Sequence, residues 1–120
     1  YASSCFVLNL GREVQIANSA KQIASSTPGP RTFEAGLMGA VQLYLGQSPR
    51  IRNYYTHNDG VIPIQRVEQI RSLIDKARKQ QQWRQQLSDA AIRRTRREHL
   101  YRHRCHDLLA SLVKEGVLTR

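Results

Sequence analysis

Residues 64–115, IQRVEQIRSLIDKARKQQQWRQQLSDAAIRRTRREHLYRHRCHDLLASLVKE, decide the fold as read from the sequence, because they contain neither Pro nor Gly. A stretch without those punctuators is a helix candidate wherever apolar residues recur at three-and-four spacing. Val67, Ile70, Ile74 and Ala77 form such a stripe following Ile64. Over residues 78–86 the stripe disappears, leaving only Trp83 to bury. A helix polar all round needs a partner, many side-chain pairs, or disorder. Apolar spacing returns at Tyr101, Cys105, Leu108 and Leu112, and Gly116 stands where a C-terminal cap belongs. The pattern predicts one long helix, or two with a bend near Ser88-Asp89.

Toward the N-terminus, Val7, Leu10, Val14 and Ala17, then Ala20, Ile23 and Ala24, predict a first helix over 7–25, weakened by Gly11. Ser25 to Pro30 breaks it. Thr32 is placed to cap a second helix carrying Phe33, Leu37, Val41 and Tyr44 on one face, with Gly46 and Pro49 ending it. Residues 47–63, with Tyr54-Tyr55, Asn58-Asp59-Gly60 and Pro63, read as a long irregular connection, the kind of loop often used for contact. The expected fold is mostly α: a short N-terminal helical pair, an irregular connection, and a long basic C-terminal helix or helix pair, extended and not a compact enzyme. The expected division is an N-terminal helical unit with its connection over 1–63 and a long basic segment over 64–120.

Of the 120 residues, 19 are Lys or Arg and 9 are Asp or Glu, a net charge of +10. Such an excess favours an anionic partner, nucleic acid before membrane surface. Residues 1–60 hold five basic groups and three acidic ones, +2, so residues 61–120 carry +8. Within 78–104, Arg78, Lys79, Arg84, Arg93, Arg94, Arg96, Arg97, Arg102 and Arg104 face only Asp89 and Glu98, nine against two for +7. These nine are the expected RNA-binding residues. At about 100° per residue Arg93, Arg97 and Arg104 share a narrow wedge, with Arg96 at its edge. Guanidinium forks bind phosphate bidentately, and a merely solvated helix usually mixes both signs. Trp83 and Tyr101 are candidates to stack on bases, with ordinary packing as the alternative.

His99, His103 and His106 would share a stripe on an unbroken helix, but Arg102 and Arg104 oppose a cation there, and His99-Leu100-Tyr101-Arg102-His103 lacks the Glu of a zinc protease. No metal or other cofactor is expected. Neither a Gly-rich phosphate loop, a nucleophile elbow nor a carboxylate pair is visible, so no catalysis and no small-molecule substrate are expected. Cys5 and Cys105 make no disulfide framework, which suits a reduced compartment. No run of 18 apolar residues occurs, so no membrane span is expected. The start Tyr1-Ala2-Ser3-Ser4 suits a chain that has lost a matrix-targeting leader, or equally one in which residue 1 is merely the first ordered residue.

Arg31-Thr32 through Leu45-Gly46, then Pro49, Ile51 and Tyr54-Tyr55, together with Ser19-Ala20-Lys21 and Ile23, resemble a mitochondria-specific ribosomal protein family of the small subunit, number thirty-three in the uniform naming. The resemblance covers residues 12–56. Phe33 stands where that family has Gly, and Leu45-Gly46-Gln47-Ser48-Pro49 spreads its Gly-Pro step. The resemblance implies a structural component of the mitochondrial ribosome, in the matrix, bound to rRNA and neighbouring ribosomal proteins. Leu100-Tyr101-Arg102 is similar instead to the signature of small accessory subunits of mitochondrial respiratory complexes, the alternative reading.

Overall fold

The computed structural model describes residues 4–11, 27–45 and 49–118. It is a mixed α/β fold, which corrects the expectation of a mostly α fold with a helical pair and a long basic helix. Three short strands, β1 (Val7–Leu10), β2 (Gln42–Leu45) and β3 (Val61–Ile64), form one sheet in the order β1-β2-β3. Both pairings are parallel, with Val7 opposite Gln42 and Gln42 opposite Val61. Helix α1 (Pro30–Leu37) lies in the connection from β1 to β2, and a 3-10 helix (Pro49–Asn53) in that from β2 to β3. Three helices follow the sheet: α2 (Glu68–Lys79), α3 (Gln81–Glu98) and α4 (Tyr101–Lys114). The first helix expected over 7–25 is replaced by β1 in its opening residues, and residues 12–26 lie outside those described. So do Gly46, the leader-like start at Tyr1, and the Ser19-Ala20-Lys21 part of the ribosomal resemblance.

The expected second helix is a helix and then a strand. Pro30 takes the first helical position, where its missing N–H costs nothing, and Gly29 rather than Thr32 is the N-cap. Thr32 sits inside the first turn, 1% exposed. Gly39 adopts φ +74°, a left-handed conformation that ends the helix and turns the chain into Ala40-Val41 and β2. Phe33, Leu37, Val41 and Tyr44 are therefore not one helical face. The expected irregular connection over 47–63 holds the 3-10 helix and most of β3. Pro63 fits because β3 is an edge strand, where a missing donor leaves no ladder bond unmade.

The core lies between the sheet and α1. Phe33, Tyr44, Ile51, Tyr55 and Val61 form it, with Tyr54 packed at its margin. Phe33 meets Tyr54 edge-on at 5.6 Å and Tyr55 at 5.9 Å between ring centroids. The long C-terminal helix is divided at Gln80 and again at His99-Leu100, and runs unbroken through Ser88-Asp89. Leu87, Ala91 and Thr95 are buried along α3 at four-residue intervals, a small-residue stripe in a segment whose surface is otherwise polar. That stripe brings α3 across the residues leading into the strands. Ser88 donates to the Gly39 carbonyl at 2.7 Å, Arg84 reaches Cys5 Sγ at 3.3 Å, and Gly60 lies against Ala91. The amino ends of all three strands are thus closed by α3.

Helix α4 buries none of its residues. Tyr101, Leu108 and Leu109 remain 77%, 59% and 54% exposed. Among the described residues no helix is long and apolar enough to cross a membrane.

Candidate functional site

The carboxyl ends of a parallel sheet are where ligands dock in open α/β folds, because the connections diverge there and helix N-termini point inward. Beside the carboxyl end of β1 the fold has a cleft of about 480 Å³, lined by Asn9, Gly11, Gly29, Arg31, Thr32 and Tyr44 among others. Helix α1 opens onto it without a side-chain cap. Its first turn therefore presents positive helix-dipole charge beside the exposed Arg31. Glu34, one turn further, lines the same cleft.

The wall of the cleft is a hydrogen-bonded polar cluster. Asn9 Nδ2 donates to Thr32 Oγ1 at 2.9 Å and to Gln42 Oε1 at 2.8 Å, and Gln42 Nε2 donates to the Thr32 carbonyl at 2.9 Å. Gln42 is wholly buried. Burying that amide between a sheet and a helix is tolerated because its partners are in place. Asn9 and Gln42 gave no signal at the level of sequence. Each is a lone amide in a four-residue strand, and only the parallel pairing of β1 with β2 joins them.

A second concavity, about 280 Å³, lies between α1 and the α3–α4 junction, lined mainly by Phe33, Leu37, His99, Leu100, Tyr101 and Arg104. Tyr55 donates to or accepts from Thr95 Oγ1 at 2.8 Å beneath it, and burial pushes the Tyr55 phenol up, with the Thr95 bond and the Arg104 and Arg94 charges opposing.

The nine basic residues singled out from the sequence occupy several environments. Arg78, Lys79, Arg93, Arg96, Arg97 and Arg102 are exposed. Arg97 lies 2.7 Å from Glu98, and its hydrogen bond, followed by the Arg94 charge, holds that carboxyl below the usual carboxylate range. Arg94 is tied to Glu98 at 2.8 Å and to the Tyr54 carbonyl at 3.1 Å. Arg104 stacks over the Phe33 ring at 4.3 Å, and Arg84 bonds Cys5. Trp83 takes an edge-on contact from Phe6 and the Lys76 ammonium at 4.2 Å. The break at His99 splits the histidine stripe. His99 lies among Phe33, Tyr54 and Tyr55 with Nε2 2.8 Å from the Tyr54 carbonyl. His103 Nδ1 accepts from the Leu100 N–H at 3.1 Å, and His106 is beside Asp107. Among the described residues no three His, Cys, Asp or Glu side chains converge on a metal position.

The glycosyl transferase-like family is matched over residues 1–110, almost the whole chain and the whole of the sheet, cleft and α3. The chain belongs to the glycosyl transferase-like family. No curated protein and no solved structure matches it. Membership of the glycosyl transferase-like family overturns the ribosomal resemblance over 12–56 and, with it, the expected rRNA and ribosomal-protein role. The fragments behind that resemblance straddle α1, β2 and the 3-10 helix, elements of a parallel α/β unit and not of a helical pair. The respiratory-complex alternative falls as well. Its Leu100-Tyr101-Arg102 is simply the start of α4, with Leu100 as N-cap. The expectation of a protein without catalytic function also conflicts with a glycosyl transferase-like assignment.

Proposed function

We propose that the cleft at the carboxyl end of β1 binds the activated sugar donor of a glycosyltransferase. Glycosyl transfer breaks the bond between the anomeric carbon and a leaving group, commonly a phosphate, whose oxygen keeps the electron pair, while an acceptor hydroxyl oxygen bonds to that carbon and gives up its proton. Negative charge grows on the leaving oxygen as the bond opens, so fixed positive charge beside it favours the transition state. The observation that carries the reading is the pairing, in one cleft, of an uncapped helix N-terminus and Arg31 with the amide cluster of Asn9, Gln42 and Thr32. In this reading Arg31 and the first turn of α1 take the phosphate, while Asn9 and Glu34 face hydroxyls of the sugar or its nucleoside. Closure of the amino ends of the strands by α3 supports the choice of this end of the sheet.

Calorimetric titration with UDP-glucose, UDP-N-acetylglucosamine, GDP-mannose and ADP-glucose tests the proposal. At least one should bind with a Kd in roughly the micromolar to millimolar range usual for enzyme substrates, and Arg31→Ala should weaken it about tenfold, the loss of one charge-assisted contact. Binding that Arg31→Ala leaves unchanged, or no binding by any of the four, would count against it.

A further inference from the structure

The amide cluster has a fixed sense, and it starts from the backbone. The Thr32 carbonyl can only accept, so the Gln42 amide must turn Nε2 toward it, at 2.9 Å. Gln42 is 0% exposed, with no room for water to satisfy the opposite orientation. Its Oε1 then faces β1 and can only accept. Asn9 must therefore donate, and Nδ2 does so at 2.8 Å, giving its second proton to Thr32 Oγ1 at 2.9 Å. Turning the Asn9 amide over would set its oxygen against Gln42 Oε1, acceptor against acceptor. Both Nδ2 protons are used, while Asn9 Oδ1 has no hydrogen bond among the described residues. No buried side-chain polar atom among the described residues lacks a partner, so Asn9 Oδ1 keeps some exposure there, and Asn9 lines the cleft.

We infer that Asn9 Oδ1 is a specificity-determining acceptor that receives a hydrogen bond from one hydroxyl of the bound donor, with Gln42 and Thr32 as its positioning residues. The inference rests on the donor-cleft reading above. An acceptor locked in place attracts O–H groups and repels phosphate oxygens. It therefore marks the part of the cleft that holds sugar or ribose, apart from the phosphate at Arg31. A rotatable amide would accept either polarity; this one discriminates because its other atom is committed.

The test is a ligand-by-mutant cycle on the full chain. The tightest binder of the four sugar nucleotides is compared with its deoxy analogues, one hydroxyl removed at a time, on the wild type and on Asn9→Ala, with a thermal melt to verify folding. One analogue should bind the wild type about tenfold more weakly than the parent, and Asn9→Ala should bind that analogue and the parent alike. A merely structural role would weaken every analogue equally. If the wild type binds a sugar nucleotide but Asn9→Ala binds it as tightly, this inference fails and the donor cleft stands. If the wild type binds none, both fail. Should Asn9→Ala not fold, the wild-type series decides: no analogue weaker than the parent overturns the inference.

Discussion

Tyr55 is 1% exposed, and its hydroxyl meets Thr95 at 2.8 Å, linking the connection before β3 to α3. Tyr55→Phe keeps the ring against Phe33 and His99 but leaves Thr95 with only its bond to the Ala91 carbonyl. The expected loss is about 1 kcal/mol, read from the urea midpoint. The phenol also titrates. Because burial raises its pKa in the folded chain, the folded state holds this proton more tightly than the unfolded one. Its contribution is fully present below the ordinary value of 10.0 and declines as pH rises from there through the folded value. Between pH 9 and pH 11 the wild type should thus lose more stability than Tyr55→Phe, and an equal loss would remove the linkage. The sequence showed Tyr54-Tyr55 only as aromatic residues in a long loop. An isolated buried side chain between two breaks has no periodicity to announce it. Asn9 and Gln42 were hidden because each is a lone amide in a four-residue strand.

Gly60 decides how closely α3 approaches the sheet, and Gly116, beyond α4, gives the comparison. Gly60 has φ +81°, and a Cβ there would lie 2.7 Å from both Ala91 Cβ and the Leu87 carbonyl oxygen. Gly116 has a similar φ of +72° with nothing within 4 Å. The pair separates backbone strain from steric overlap. Gly116→Ala should cost about 1 kcal/mol, and Gly60→Ala about 2–4 kcal/mol, since α3 must also move off the chain entering β3. Equal losses in chemical denaturation would show that α3 does not seat there. Part of the helical half of the chain was legible: the stripe at Ile70, Ile74 and Ala77 and the cap at Gly116 correspond to features of the fold. The strands were not. Each spans four residues, too few to establish alternation, and Gln42 to Tyr44 are buried on both faces. Phe33, Leu37, Val41 and Tyr44 happen to fall at helical spacing across a helix, a turn and a strand. The divisions at Gln80 and His99 carry neither Pro nor Gly, so nothing in the sequence marked them.

For the whole molecule, α3 closes the amino ends of the strands and the polar cleft opens beside the carboxyl end of β1. The net charge of +10 raises the positive potential around that cleft, which on the donor reading draws a phosphate-bearing ligand. Composition pointed to a polynucleotide; on the donor reading the same guanidinium excess reports phosphate chemistry without reporting ligand size. The arginines themselves are spread over distinct duties: Arg84 on Cys5, Arg94 on the Tyr54 carbonyl, Arg104 on Phe33. That division of labour is set by tertiary contacts between distant parts of the chain. The most direct test of the account is amide chemical-shift mapping of the purified chain during titration with the tightest of the four sugar nucleotides. Saturable shifts centred on Asn9, Gly11, Gly29, Arg31 and Thr32 are predicted; shifts confined to the exposed arginines of α3 and α4, with the residues of β1 and α1 unmoved, would contradict it.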